Sequence, residues 1–134
     1  MIFLDSSFLI SLEVEKDENH QRAIDLRSRI LKGDFGSSVI SDYIFDETMT
    51  VTFGRTKDLG KAVAVGVKLK DPSILIKLEE SDFESAWDLF KNQKNTKLSF
   101  TDCTNLAIMK RMSIKDIAAF DEDFKKIGGI NVIS

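Results

Sequence analysis

The chain reads as an α/β protein, a three-layer α/β/α domain with a four- to five-stranded, mostly parallel sheet. Three observations predict this. Short apolar runs alternate with longer stretches of helical period along the whole chain. The first run, Ile2-Phe3-Leu4, passes straight into Asp5, as a strand buried on both faces does when it leaves a parallel sheet. With one proline, no internal repeat, no low-complexity segment and no Gly/Ser-rich linker, residues 1–134 are expected to form one domain.

The elements follow in order. Ser6-Ser7 after Asp5 suit a strand-to-helix turn, and Phe8, Leu9, Ile10 and Leu12 make a short helix. Asp17 is expected to cap a second helix to about Lys32, with Ala23, Ile24, Ile30 and Leu31 inward and Gly33 as its stop. Gly36–Ile40 is the second strand. Ser41 or Asp42 then caps a helix running to about Phe53, ended by Gly54. Asp58 caps Leu59–Lys70, whose Ala62, Val63, Val65 and Leu69 are apolar, and Asp71-Pro72 closes it because a residue before proline is pushed out of the helical region. Ile74–Leu78 is the third strand. Ser81 and Glu84 have capping-box spacing and open a helix with Phe83, Ala86, Trp87 and Phe90 on one face, expected as core. A lysine-bearing loop, Asn92–Lys97, leads to a helix capped by Thr101. Ile117–Phe120 is the fourth strand, ending at Asp121. Gly128-Gly129 turns the chain into a last strand, Asn131–Ile133.

Composition narrows the function. The 43% hydrophobic and 31% charged fractions are those of a globular protein. No apolar run is long enough to span a bilayer, and no basic region precedes the first apolar residues, so neither a membrane partner nor a secretory signal is expected. A single cysteine, Cys103, fits a reducing cytoplasm. A net charge of −3 opposes binding of polyanions by bulk attraction, so a nucleic-acid substrate would need local cations or a bound metal.

Acids recur where ligands collect in open α/β sheets, at the carboxyl edge. Asp5 follows the first strand, Glu47 lies about two turns into the helix after the second, Asp102 is in the first turn of the helix after the lysine loop, and Asp121 follows the fourth strand with Asp123 close behind. Carboxylates gathered together repel unless a cation joins them, and an all-oxygen set suits Mg²⁺ or Mn²⁺. With one histidine and one cysteine, the chain cannot build a zinc site. Each acid also has a plainer reading: Asp5 as a helix cap, Glu47 as a solvated helix residue, Asp102 as a first-turn acid favoured by the macrodipole, and Asp121–Asp123 as an acidic turn. Asp46 is the local rival to Glu47. Lys94, Lys97, Arg55 and Lys57 read either as phosphate contacts or as solvated loop residues.

Four segments together resemble the PIN-domain family of metal-dependent ribonucleases, which includes the VapC toxins of VapBC toxin–antitoxin pairs. They are Phe3-Leu4-Asp5-Ser6-Ser7, Ser41-Asp42-Tyr43-Ile44-Phe45-Asp46-Glu47, Leu98-Ser99-Phe100-Thr101-Asp102 and Ala119-Phe120-Asp121-Glu122-Asp123-Phe124. The resemblance implies a PIN-like fold with the first strand central, flanked by the second and fourth, which sets Asp5 beside Asp121. It implies Asp5, Glu47, Asp102 and Asp121 as catalytic, metal-binding acids, Asp123 as a possible fifth ligand, and Ser7 as a holder of water. The implied activity is Mg²⁺- or Mn²⁺-dependent hydrolysis of RNA phosphodiesters by a cytoplasmic endoribonuclease, with an antitoxin protein and a second copy of the chain as partners. Phe8, Leu9, Ile10, Leu12 and the helix after Asp42 are expected either as that partner surface or as ordinary core. The rival class is a non-catalytic PIN-like scaffold that binds RNA or protein.

Overall fold

A computed structural model describes all residues, Met1–Ser134. Five parallel strands, β1 (Ile2–Leu4), β2 (Ser38–Ser41), β3 (Leu75–Ile76), β4 (Asp116–Ala118) and β5 (Asn131–Ile133), lie in the order β3-β2-β1-β4-β5. Six helices fill the connections: α1 (Ser6–Glu13), α2 (His20–Leu31), α3 (Asp42–Thr56), α4 (Leu59–Leu69), α5 (Glu80–Asn92) and α6 (Phe100–Arg111). The expected strand order holds, with β1 between β2 and β4. Ile2, Phe3, Ile40, Ile117 and Ala118 are fully buried, so apolar burial on both faces fixes the central register.

Local chemistry moves several boundaries. Gly54 does not end α3; a glycine inside a helix costs about 1 kcal/mol and does not break it. The helix stops at Thr56, where Lys57 turns left-handed with φ 54°. Asn19, not Asp17, precedes α2; Asp17 instead accepts the Asn19 N–H and the Ser11 hydroxyl and pairs with Arg55 at 2.8 Å. Ser99, not Thr101, caps α6, and the capping box of α5 is Glu79 with Asp82 rather than Ser81 with Glu84. Ser41 caps α3, while Asp42 accepts the Leu78 N–H at 3.0 Å. β3 and β4 are shorter than expected, with β4 ending at Ala118.

Burial corrects two expectations and decides between the alternatives of a third. In α2, Ala23 and Leu26 turn inward, while Ile24 is exposed and Leu31 is 70% exposed. The Phe83, Trp87 and Phe90 face of α5 is not core: only Ala86 of that stripe is buried, and Trp87 is 48% exposed. Phe83 and Phe90 pack edge-on against Phe100 of α6 instead, and Trp87 stacks on Phe90. For Phe8, Leu9 and Ile10, of the two readings offered, ordinary core is the one the structure shows. The exposed apolar strip lies on α3 and α4, at Phe53, Leu59, Val63 and Val67.

Candidate active site

β1 delivers Asp5 to the sheet edge, where its N–H donates to the Ala118 carbonyl of β4 at 3.0 Å. Its extended backbone makes it the N-cap of α1, so the carboxylate turns back over the helix start. Oδ2 accepts the Ser7 N–H at 3.0 Å and the Ser7 hydroxyl, and Oδ1 accepts the Asn105 amide at 2.9 Å. Asp5 is 2% exposed. Burial pushes its pKa up to about 7, the Ser7 bonds oppose that, and the charges of Asp102 and Glu47 add to it.

The other acids come from three elements. Glu47 reaches in from α3 and accepts the Ser6 hydroxyl. Asp102, buried in the first turn of α6, exchanges hydrogen bonds with Ser99: its Oδ2 accepts the Ser99 N–H at 2.9 Å, and its own N–H donates to the Ser99 hydroxyl at 3.0 Å. Burial raises the Asp102 pKa despite those bonds, and Asp121 and Glu47 raise it further. Asp121 caps a short 3-10 turn, Glu122–Lys126, by accepting the Asp123 N–H at 2.9 Å. Asp5, Glu47, Asp102 and Asp121 thus form one electrostatically linked group. Asp123 stands apart from it: Lys126 at 2.8 Å holds its carboxyl below the usual range, with Lys97 adding to the effect.

Two residues in this group had no place in the sequence reading. Asn105 is fully buried, and its Oδ1 has no partner among the protein groups. It lies three residues after Asp102, on the same face of α6; a polar side chain in the buried run Cys103–Ile108 was the signal. Ser6, which orients Glu47, gave no such signal. Ser7 is more committed than expected, because its hydroxyl donates to Asp5 and accepts the Phe120 N–H at 3.0 Å. Cys103 is buried as expected; burial pushes its thiol up to about 11, with Asp102 adding to the rise, so it is no nucleophile.

No three acid, histidine or cysteine side chains close tightly enough to enclose an ion as they stand. Ser7 and Asn105 hold Asp5, Ser6 holds Glu47 and Ser99 holds Asp102. The donor set nevertheless fits a hard divalent cation. It is all oxygen, no lysine or arginine acts on Asp5 or Asp102, and the free Asn105 Oδ1 is a buried acceptor lacking a donor.

Known proteins share this fold. The PIN-domain family model matches residues 2–130. Over 135 aligned residues, 98% of each chain, the sequence is 28% identical to the 23S rRNA-specific endonuclease VapC20 of Mycobacterium tuberculosis. The crystal structure of that VapC20, a sarcin–ricin loop cleaving toxin, superposes with a TM-score of 0.84 at 26% identity over the full length of both chains. The structure of FitAcB from Neisseria gonorrhoeae shares the fold, with a TM-score of 0.64 at 17% identity, covering 100% of this chain and 97% of that one. With a family model that spans residues 2–130 of its 134, the chain belongs to the PIN-domain family.

Proposed function

We propose that this chain is a cytoplasmic endoribonuclease of the VapC toxin type, hydrolysing RNA phosphodiester bonds with Mg²⁺ or Mn²⁺. The observation that carries this reading is the linked group of Asp5, Glu47, Asp102 and Asp121, buried or half-buried and without a cation of its own. Asp5, Asp102 and Asp121 would hold the ion, with Glu47 as a ligand or an orienting group. Asp123 would join only by releasing Lys126. Such an ion would supply positive charge to the substrate phosphate and acidify a water.

The protein's own groups position that chemistry. Ser7 and Asn105 fix the Asp5 carboxylate from both oxygens, and Ser6 sets Glu47. Ser99 locks Asp102 to the start of α6, where the helix dipole favours negative charge. The similarity to VapC20 supports RNA as substrate and a toxin role, and an antitoxin partner follows from that role. The exposed strip Phe53, Leu59, Val63 and Val67 is apolar surface suited to an antitoxin or to a second copy.

The test is cleavage of structured RNA by the protein with Mg²⁺, with EDTA, and as Asp5→Asn. Cleavage in the first sample alone is expected; equal cleavage in all three rejects the metal mechanism. The scaffold reading keeps one observation, that the acids do not close around an ion as they stand. Metal binding without turnover on any RNA would favour it.

A further inference from the structure

We propose that the cleft beside Glu47, between α3 and α6, is a base-selectivity pocket that takes an unpaired guanine of the substrate; the inference rests on the ribonuclease reading. Tyr43, Asp46, Glu47, Thr50 and Val51 line one side of the cleft, and Thr101 faces them from α6. The α3 residues fall at i, i+3, i+4, i+7 and i+8, a single stripe of that helix. Glu47 belongs to the acid group and Thr101 adjoins Asp102, so the cleft opens directly onto the catalytic acids.

Packing does not explain the residues around Glu47. Asp46 is exposed and takes part in none of the molecule's ion pairs. Tyr43 is half-buried, and no aromatic ring packs on it. Thr50 is exposed and Thr101 half-buried, each bringing a hydroxyl to the cleft. Beside Glu47, the set holds one aromatic face, one accept-only carboxylate and three hydroxyls, those of Tyr43, Thr50 and Thr101.

That chemistry selects a nucleobase and, among nucleobases, guanine. A carboxylate beside a phosphodiester repels the backbone, so the cleft admits a base edge rather than a phosphate. An ionised carboxylate only accepts hydrogen bonds. Guanine presents N1–H and N2–H side by side on its Watson–Crick edge and fills both oxygens. Adenine, cytosine and uracil each set an acceptor beside their donor, which leaves one carboxylate oxygen facing another acceptor. The Tyr43 ring offers a stacking face, which protein sites commonly use for splayed-out RNA bases. Thr50 and Thr101 can donate to O6 or meet the ribose. The edge must be free of pairing, so the preferred substrate carries this guanine in a loop or single strand, next to the phosphate held by the acids.

The experiment uses the Asp5→Asn protein, which binds without cutting, and short single-stranded RNAs that differ at one nucleotide: guanosine, inosine, adenosine, cytidine or uridine. Inosine lacks only the N2 amino group. Fluorescence anisotropy is expected to give about tenfold tighter binding of the guanosine RNA than of the inosine RNA. Adding Asp46→Asn should erase that difference, and Tyr43→Ala should weaken every RNA. Equal affinities for guanosine and inosine, or a preference that survives Asp46→Asn, overturn the inference. An arginine peptide is the competing occupant, because a guanidinium also fills both oxygens. Capture of that peptide through Asp46 with no guanosine–inosine difference would assign the cleft to a protein partner instead. Failure of the wild type to cut these RNAs with Mg²⁺ or Mn²⁺ bears on the ribonuclease reading alone, since base preference is read from binding.

Discussion

Replacing Asp5 by asparagine is expected to make the protein more stable at pH 8 while abolishing its activity. Burial lifts the Asp5 pKa from the ordinary 3.8 to about 7 in the folded chain. At about 1.36 kcal/mol per unit, that is roughly 4 kcal/mol of folding free energy. The residue is fully buried, so solvent screening does not reduce the figure. Because the folded pKa is raised, the cost is absent below about pH 4, where both states hold the proton. It grows as the unfolded chain ionises, and it is complete once the pH passes about 7. The uncharged amide removes this cost. Its new N–H₂ group would oppose the Asn105 donor, but the Asn105 amide can flip and offer its partnerless Oδ1. Urea unfolding of both proteins from pH 4 to 8 checks this, and the difference between them cancels the titrating groups that do not act on Asp5. The variant should gain up to roughly 4 kcal/mol at pH 8, converging with the wild type near pH 4. A variant less stable than the wild type at pH 8, or a difference that does not change with pH, would refute the reasoning.

Other consequences are separately measurable. Glu47→Gln keeps an oxygen for the Ser6 hydroxyl but loses the charge, so RNA cleavage should fall by about a hundredfold or more with an unchanged circular dichroism spectrum. Asn105→Ala frees one oxygen of Asp5, and kcat should drop about tenfold to a hundredfold while KM stays near the wild-type value. Arg111→Ala strips buried Asp82 of two 2.8 Å contacts; a loss of about 2–4 kcal/mol is expected, Arg111 being partly exposed. The Arg111 guanidinium holds Asp82 below the usual carboxylate range, so this contribution is present near neutral pH and fades as acid protonates Asp82. Leu26→Ala should cost about 2–4 kcal/mol and Leu31→Ala under about 0.5 kcal/mol, because the first is 3% exposed and the second 70% exposed.

The sheet was legible because its signal is local and strong: Ile2-Phe3-Leu4, Val39-Ile40 and Ile117-Ala118 are apolar runs too short for helices, and each becomes a central strand. Caps were less legible. Asp17, Ser81 and Thr101 all have the chemistry of an N-cap, and tertiary partners chose the neighbours instead; Arg55 and Ser11, for example, claim Asp17. The aromatic face of α5 has core-like spacing, but α6 supplies only Phe100 against it, and no further layer covers Trp87. Of the acid group, the four positions came from the motif register, and the structure brings all four within electrostatic reach. The orienting roles of Ser6 and Asn105 were not legible, Asn105 showing only as a polar residue in a mostly apolar run, because those roles depend on contacts across 41 and 100 residues of chain.

Manganese soaked into crystals of the wild-type protein and located by anomalous scattering tests the central claim most directly. A peak is expected about 2.1 Å from carboxylate oxygens of Asp5 and at least one of Asp102 and Asp121. An ion bound elsewhere, with none at these carboxylates, would contradict it.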